Sequence, residues 1–341
     1  MPELGNTGVI LVDLEPEDLI FGANTRVKHN IVIDGKWLGY YSSGELQYSI
    51  YFDSQCCVSF AAIKIVSAIM NYKIRLGLLS KSNLNWLKEN KYINDKGEFD
   101  ASERFTGAMS GTTERGNSGR KVWDSIRNHG LVPQHLCDWD RGRDVEYDKR
   151  FGAWFRDIAN ITQEAKDIGL EFKRRFNVFY EAVLFDTESK KEEALKHSPI
   201  EVFIPTSCKY KGTVQQYCDG TIGHAVSRVE YFNPKGYVPL FDHYIKQPKE
   251  EGNERFVRRV VSNYKYHPYG YVCTIEENNM ENDFVKIVKD EDSKAVGFFI
   301  PATSPDALET MSKAFNKDIV KKADGSVDWS KTIEGKVKFN S

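Results

Sequence analysis

Two adjacent cysteines, Cys56 and Cys57, stand immediately before a long apolar run. From Cys57 to about Tyr72, small and apolar residues occupy all faces, which predicts a buried helix that begins at Cys57. Unpaired backbone N–H groups and the positive end of the helix dipole favour an anion there, so a thiol loses its proton more easily. The thiolate is the nucleophilic form. The alternative is two inert core thiols, because free cysteine is among the most buried residue types.

A histidine and an aspartate further along the chain could assist such a nucleophile. His224 follows a glycine-containing turn at the start of a segment in which apolar residues tend to recur at every second position. Asp242 lies in the next segment of this kind. Alternation predicts strands. If the two strands are antiparallel neighbours, the Asp242 carboxylate can fix the tautomer and orientation of the His224 imidazole. Nucleophile, base and orienting acid together are the groups of covalent catalysis.

The cysteine segment resembles the nucleophile motif of the papain-like cysteine peptidases. The family's Cys-Gly-Ser-Cys-Trp-Ala-Phe-Ser aligns without a gap with SQCCVSFA, residues 54–61. The alignment puts Cys57 in the place of the nucleophile and Cys56 in that of the small residue before it. The whole resemblance covers about residues 45–275.

The histidine and aspartate segments resemble two further motifs of the same family. The family's Asn/Asp-His-Ala-Val-x-x-Val-Gly-Tyr is similar to GHAVSRVEY, residues 223–231, which contains His224. Its Lys-Asn-Ser-Trp is similar to FDHY, residues 241–244, so Asp242 replaces the orienting Asn.

Between these motifs, residues 115–139 are similar to the family segment in which a glycine-rich loop lines the substrate cleft. The matching residues are Gly116, Asn117, Ser118 and Gly119. Their glycines would let a peptide backbone approach closely. Without the resemblance, a plain surface loop explains these residues equally well.

Papain-like enzymes bind the oxyanion with a Gln side chain and the backbone N–H of the nucleophilic Cys. Gln55 is too near Cys57 for this role and aligns with a family Gly. Gln47, ten residues before Cys57, is the candidate that we prefer to the absence of any such Gln. Losing an oxyanion donor costs roughly 10²–10³ in rate.

The resemblance implies a thiol hydrolase that cleaves peptide amide bonds in a peptide or protein substrate through Cys57, His224, Asp242 and Gln47, without a metal or other cofactor. Val58 in place of the family's Trp leaves open an inactive papain-like scaffold that serves as a virion component or binding protein. A cell-wall amidase of the wider superfamily has the same Cys–His–polar order. The departures from the motifs resemble the shortened papain-like proteins of bacteriophages and bacteria.

The order of helix-like and strand-like segments along the chain predicts an α+β fold, with helices first and an antiparallel sheet after them. Amphipathic or charged segments predict helices, and alternating segments rich in Val, Ile, Tyr and Phe predict strands. The predicted helices lie at 57–72, 84–91, 121–130, over most of 148–182, and at 190–199 and 304–316. The predicted strands lie at 200–205, 223–232, 237–244, 255–266 and 269–276.

The predicted organisation has three parts. They are an N-terminal extension (1–44), a papain-like domain (45–275) and a small C-terminal appendage (276–341). Within the domain, a helical half of about 51–182, with the cysteine-bearing helix at its centre, packs on an antiparallel sheet or barrel half of about 198–275.

Composition narrows the possible partners. The chain has 341 residues, 40 % of them hydrophobic, and can bury a full core. Its formal charge of −2, with acids and bases interspersed, gives no basic face for nucleic acid. Its start lacks the pattern of a signal peptide, and no uninterrupted apolar run approaches the ~20 residues of a membrane span. We therefore expect the protein to bind neither nucleic acid nor a membrane. The expected location is cytoplasmic or virion-associated, with a virion or other protein as a further partner of the appendage.

Overall fold

The structure is a computed structural model that describes most of the chain up to residue 278 and two short segments after it. The described residues are 8–16, 18–22, 32–42, 46–48, 53–139, 150–205, 210–211, 214–215, 221–231, 236–243, 257–261, 264–278, 286–289 and 295–299. The chain divides into two compact units, Met1–Asn278 and Asn279–Ser341. The helix predicted at 304–316 lies outside the described residues.

Seven α-helices lie within the described part of the first unit. They are α1 (Cys57–Arg75), α2 (Lys81–Glu89), α3 (Glu103–Met109), α4 (Gly119–His129), α5 (Arg150–Arg156), α6 (Gln163–Arg175) and α7 (Glu188–His197). Side-chain oxygens cap several of them; the Ser118 hydroxyl, for example, accepts from the Lys121 backbone N–H at the start of α4. Gly130 ends α4 with a φ of 70°, a left-handed conformation that favours glycine.

Helix α1 forms the centre of the first unit. Its residues are almost all buried, including the polar Ser59, Lys64 and Asn71. Its length and composition would suit a membrane span. In the structure, however, protein covers its apolar surface, and the Ser227 hydroxyl donates to the Ala61 carbonyl to join the helix to the sheet.

The described strands of the first unit form one eight-stranded sheet. They are β1 (Phe176–Leu184), β2 (Ile200–Pro205), β3 (Tyr210–Lys211), β4 (Val214–Gln215), β5 (Ile222–Arg228), β6 (Tyr237–Phe241), β7 (Val257–Val261) and β8 (Tyr269–Glu277). Their order is β1-β8-β2-β5-β6-β7-β4-β3, antiparallel except for the parallel pair β4 and β7. In the second unit, β9 (Lys286–Lys289) and β10 (Ala295–Phe299) pair antiparallel.

The α+β class is confirmed, with helices packed on a mainly antiparallel sheet. The prediction of a mostly helical segment at 148–182 was wrong at its end. Helix α6 stops at Arg175, and Phe176 has an extended backbone that begins β1. Strand β1 pairs with β8 along its full length. Charged helical residues run directly into this strand with no glycine or proline between them, so the sequence contains no local signal for the change.

Strand β2 contains a fully buried carboxyl group, Glu201, which makes stability depend on pH. The Trp123 indole N–H donates to one Glu201 oxygen at 2.8 Å, and burial raises the pKa of Glu201 to about 8. Between about pH 4.5 and pH 8 the unfolded chain has lost this proton while the folded chain keeps it. Folding stability from this group is therefore complete below pH 4.5 and is lost as the pH rises towards 8.

Glu201→Gln is expected to remove this pH dependence while keeping an acceptor for Trp123. Relative to the wild type, its free energy of unfolding should rise between pH 5 and pH 8 by an amount on the order of a few kcal/mol. Urea unfolding at several pH values measures the difference. Glu171→Gln, a change in a helix-surface ion pair, is the control. Parallel pH curves for wild type and Glu201→Gln would contradict the assignment.

Candidate active site

Cys57 is the first residue of α1, where the sequence predicts it. Its side chain is only 1 % exposed, and burial raises its pKa well above the ordinary value of a thiol. The Ala225 backbone hydrogen-bonds the thiol and opposes this rise. Because Ala225 follows His224 in β5, this contact brings the cysteine sulphur to the same end of the sheet as the histidine.

The neighbouring Cys56 has different surroundings. Its side chain packs in an aromatic cluster with Phe60, Trp139 and Phe155, and its thiol donates to the Ser54 carbonyl at 3.3 Å. Burial raises its pKa to about 12. Cys56 therefore belongs to the core between α1 and α5.

His224 and Asp242 lie together. The distance between His224 Nε2 and Asp242 Oδ1 is 2.8 Å, and both side chains are buried. Strands β5 and β6 are antiparallel neighbours in which Arg228 is opposite Leu240. Side chains alternate along a strand, so His224, four residues before Arg228, and Asp242, two residues after Leu240, extend from the same face.

Asp242 also contacts Arg258, a residue outside the sequence motifs. Its second carboxylate oxygen, Oδ2, forms an ion pair with the Arg258 guanidinium. Arg258 is opposite Leu240 in the pairing of β6 with β7 and so projects from the same face. The aspartate thus joins the histidine on one side to an arginine on the other.

Gln47 reaches the start of α1 through local backbone pairing. The Ser54 N–H donates to the Gln47 carbonyl at 3.1 Å, and Tyr48 forms an antiparallel bridge with Asp53. The Gln47 side chain is 1 % exposed, and its amide has no hydrogen-bond partner within the described part of the chain. A buried amide without a partner costs free energy unless a ligand satisfies it.

The loop residues Gly116 and Asn117 contact another part of the chain, the N-terminal segment (residues 8–16 and 18–22). The Asn117 N–H donates to the Gly8 carbonyl at 3.0 Å, and the Ile10 N–H donates to the Asn117 carbonyl at 2.7 Å. Gly116 has a φ of 90°, and a Cβ there would lie 2.1 Å from the Gly8 carbonyl carbon. Only glycine permits this approach.

The other two loop residues serve the local structure. Ser118 caps α4, and Gly119 packs so closely on the sheet that a Cβ would lie 2.5 Å from the Tyr271 ring. The loop therefore divides into a half that contacts the N-terminal segment and a half that anchors α4.

The N-terminal segment covers the thiol. A Cβ added at Gly8 would lie 2.8 Å from the Cys57 sulphur and 2.9 Å from the Gln55 carbonyl oxygen. Gly8 therefore lies on the nucleophile candidate itself, at a distance that leaves no room for a side chain.

Contacts further along hold the N-terminal segment in place. Arg120 of α4 forms ion pairs with Glu15 and Asp18 and donates to the Asp13 carbonyl at 2.8 Å. Beyond them, the Ala182 N–H donates to the Leu19 carbonyl at 2.8 Å, at the edge strand β1. The segment thus runs from the thiol across α4 to the sheet edge.

Of the predicted site residues, the structure brings Cys57, His224, Asp242 and Gln47 to one region at the start of α1 and the adjoining end of the sheet. Within the residues that the structure describes, no three His, Cys, Asp or Glu side chains form a group able to hold a metal ion.

Comparisons with known proteins identify the fold. No family model matches the chain, and no curated protein matches it. Among solved structures, the chain is similar to xylellain, a cysteine protease from Xylella fastidiosa, with a TM-score of 0.51 and 12 % identity over 79 % of this chain and 96 % of that chain. Procathepsin L2 from the larval midgut of Tenebrio molitor also matches, with 14 % identity over 79 % of this chain and 78 % of that one and a TM-score of 0.47. At such identities the likeness establishes architecture alone: the chain has the α+β fold of the papain-like cysteine proteases.

Proposed function

We propose that this protein is a cysteine peptidase of the short papain-like type found in bacteriophages and bacteria. Cys57 is the nucleophile, His224 the general base, Asp242 the orienting acid and Gln47 an oxyanion donor. The observation that carries the proposal is the 2.8 Å contact between His224 Nε2 and Asp242 Oδ1, next to the strand residue whose backbone hydrogen-bonds the Cys57 thiol.

The proposed chemistry follows from this arrangement. The Asp242 carboxylate accepts a hydrogen bond from the Nε2–H of His224, which fixes the tautomer whose Nδ1 takes the thiol proton of Cys57. The thiolate attacks an amide carbonyl, and the developing oxyanion is bound by the Gln47 amide and the Cys57 backbone N–H. The imidazolium then protonates the leaving amine, and His224 activates the water that hydrolyses the thioester.

A substrate cannot reach Cys57 while Gly8 lies on it. In the arrangement described, Gly8 lies against the Cys57 sulphur and blocks the approach of a carbonyl from that side. Catalysis therefore requires this segment to move away or to be removed. Because the cover desolvates the thiol, its departure also lowers the pKa of Cys57 from its raised value.

The covered thiol also supports a second candidate, an inactive papain-like scaffold that acts as a binding or virion protein. In that protein the N-terminal segment would never leave the cleft, and Cys57 would stay unreactive. The two candidates therefore differ in whether Cys57 becomes accessible without unfolding.

A peptidyl epoxide that alkylates thiols tests the proposal. We expect it to modify Cys57, mapped by mass spectrometry, and to block cleavage of a mixed peptide library by the same preparation. The buried free thiols Cys56, Cys137 and Cys273 should stay unmodified and so report an intact fold. The Arg120→Met protein, which lacks the ion pairs of the N-terminal segment, is assayed in parallel.

Three outcomes separate the candidates. Modification of Cys57 with loss of peptide cleavage supports the peptidase. No cleavage and no modification, with or without Arg120, favours the inactive scaffold and overturns the peptidase. Release of peptides from purified peptidoglycan, without cleavage of the library, would identify the cell-wall amidase instead.

A further inference from the structure

The carboxylate that contacts His224 is fully buried and carries a charge that the neutral amide of the papain-like motif does not. Asp242 is 0 % exposed. A buried carboxylate is strongly destabilising unless it is paired and hydrogen-bonded. Each oxygen of the carboxylate has such a contact within the described part of the chain: His224 at Oδ1 and Arg258 at Oδ2.

Arg258 suits this position in both charge and geometry. Its side chain is 10 % exposed, and it extends from β7 on the face shared by His224 and Asp242. A guanidinium is planar and always protonated, so its contact with Oδ2 fixes the rotation of the carboxylate as well as its charge. The rotation decides whether Oδ1 faces the imidazole.

We propose that Arg258 is a positioning residue for the His224 base: it holds Asp242 in the orientation that contacts Nε2 and cancels its charge. The Asp242–Arg258 pair then presents the imidazole with a hydrogen-bond acceptor but little net charge, as a neutral amide would. This inference rests on the proposed function for its catalytic meaning, but its structural content concerns only the three side chains.

The adjacent Arg259 provides a matched control. It projects from the opposite face of β7, and its guanidinium lies 4.9 Å from the centre of the Tyr237 ring. Arg259→Met therefore removes the same charge from the same strand without touching Asp242. An effect caused by lower strand stability or by the lost charge will appear in both variants. An effect caused by loss of the positioning of His224 will appear only in Arg258→Met.

The test is an NMR titration of the His224 ring, assigned by comparison with His224→Gln. In Arg258→Met the carboxylate has lost the guanidinium charge beside it and stabilises the imidazolium more strongly, and we expect the titration midpoint to move up by about one pH unit. In Arg259→Met it should stay at the wild-type value. The double variant Asp242→Asn/Arg258→Met has no buried charge on either residue and should return the midpoint close to the wild type.

Other titratable groups in this region are unchanged in every variant. Tyr48 interacts electrostatically with Asp242, and Cys57 interacts with Asp53 and Glu201. The imidazole of His243 lies beside Phe241 at the end of β6. Because these groups are common to wild type and variants, the difference in midpoint reports Arg258.

Cleavage assays on the same proteins add a catalytic readout. We expect Asp242→Asn alone, which keeps the guanidinium charge of Arg258 but removes the carboxylate that it contacts, to be at least ten times slower than the double variant. If Arg258 had only a structural role, the double variant would cleave peptides no faster than either single variant. Should Arg258→Met fail to fold, the comparison of Asp242→Asn with the double variant still applies.

An unchanged His224 midpoint in Arg258→Met, or an equal shift in Arg259→Met, overturns the inference. The titration needs no enzymatic activity, so the two proposals fail separately. If no variant cleaves peptides but the midpoint shifts as expected, Arg258 still positions the histidine and only the peptidase proposal falls.

Discussion

Cys57→Ala is expected to abolish peptide cleavage, with a loss in kcat/KM of at least about 10⁴. The reason is that nucleophile, base and orienting acid act as a unit, and removal of the nucleophile alone costs nearly as much as removal of all three. The measurement is cleavage of the peptides that the wild type cuts, compared by kcat/KM. Folding is checked by near-UV circular dichroism, since α1 is central to the core.

Cys56→Ala is the matched control, because it makes the same substitution at the neighbouring cysteine. The Cys56 side chain packs in the aromatic cluster of Phe60, Trp139 and Phe155. We expect a modest loss of stability from the missing sulphur and a rate close to that of the wild type. Equal cleavage by Cys57→Ala and the wild type would end the peptidase proposal, and loss in both variants would point to a disturbed α1 instead.

The position of Cys57 was predictable because the signals for it are local. A polar segment changes abruptly to an apolar run, and the change marks the start of a helix. The aligned motif even agrees with the backbone at Gln55, whose φ of 58° is a left-handed conformation that favours the glycine of the family motif. Sequence and backbone therefore agree on the turn before the helix.

The pairing of His224 with Asp242 required only that consecutive strands be neighbours, which is common in antiparallel sheets. To predict the contact of Arg258 with Asp242 required more information. The segment VRRVV places one arginine on each face of a strand, and the sequence alone does not indicate which face meets Asp242. That depends on the register of β6 with β7, fixed by pairing along the two strands. Two arginines in an otherwise Val-rich strand were nevertheless a signal for a buried anionic partner.

The N-terminal segment was not predictable from its own residues. Gly8 lies far from Cys57 in sequence, and its contact with the thiol depends on the absence of a side chain rather than on any motif. From the sequence alone, residues 1–44 are predicted to be an extension outside the papain-like domain. Glycine at positions 8 and 116 acquires meaning only when the two backbones are seen to touch.

Freeing the N-terminal segment is expected to speed alkylation of Cys57 by small thiol reagents. Two variants free it in different ways. Arg120→Met removes the ion pairs with Glu15 and Asp18 that hold the segment on α4. Gly8→Val introduces a side chain where even a Cβ would lie 2.8 Å from the Cys57 sulphur, so the segment must leave the thiol.

The expected gain is about tenfold or more in the rate of iodoacetamide modification for each variant. Each loss of about 1.4 kcal/mol in the closed arrangement multiplies the open population by ten. The exposed thiol is also better solvated, so its pKa falls and a larger fraction reacts as thiolate at a given pH. Both effects raise the rate, and peptide cleavage should rise with it.

Arg127→Met is the control for Arg120→Met, because Arg127 lies on the same helix and pairs with Asp124 rather than with the N-terminal segment. Its rate should match the wild type. Cys137 and Cys273 serve as internal controls in each sample, since their modification would reveal general unfolding. If Cys57 reacts at one rate in wild type, Arg120→Met and Gly8→Val, the segment does not control access. If the modification rate rises at Cys57 but not at Cys137 or Cys273, the Cys57 thiol is reactive in the folded protein and Gly8 is what keeps reagents from it.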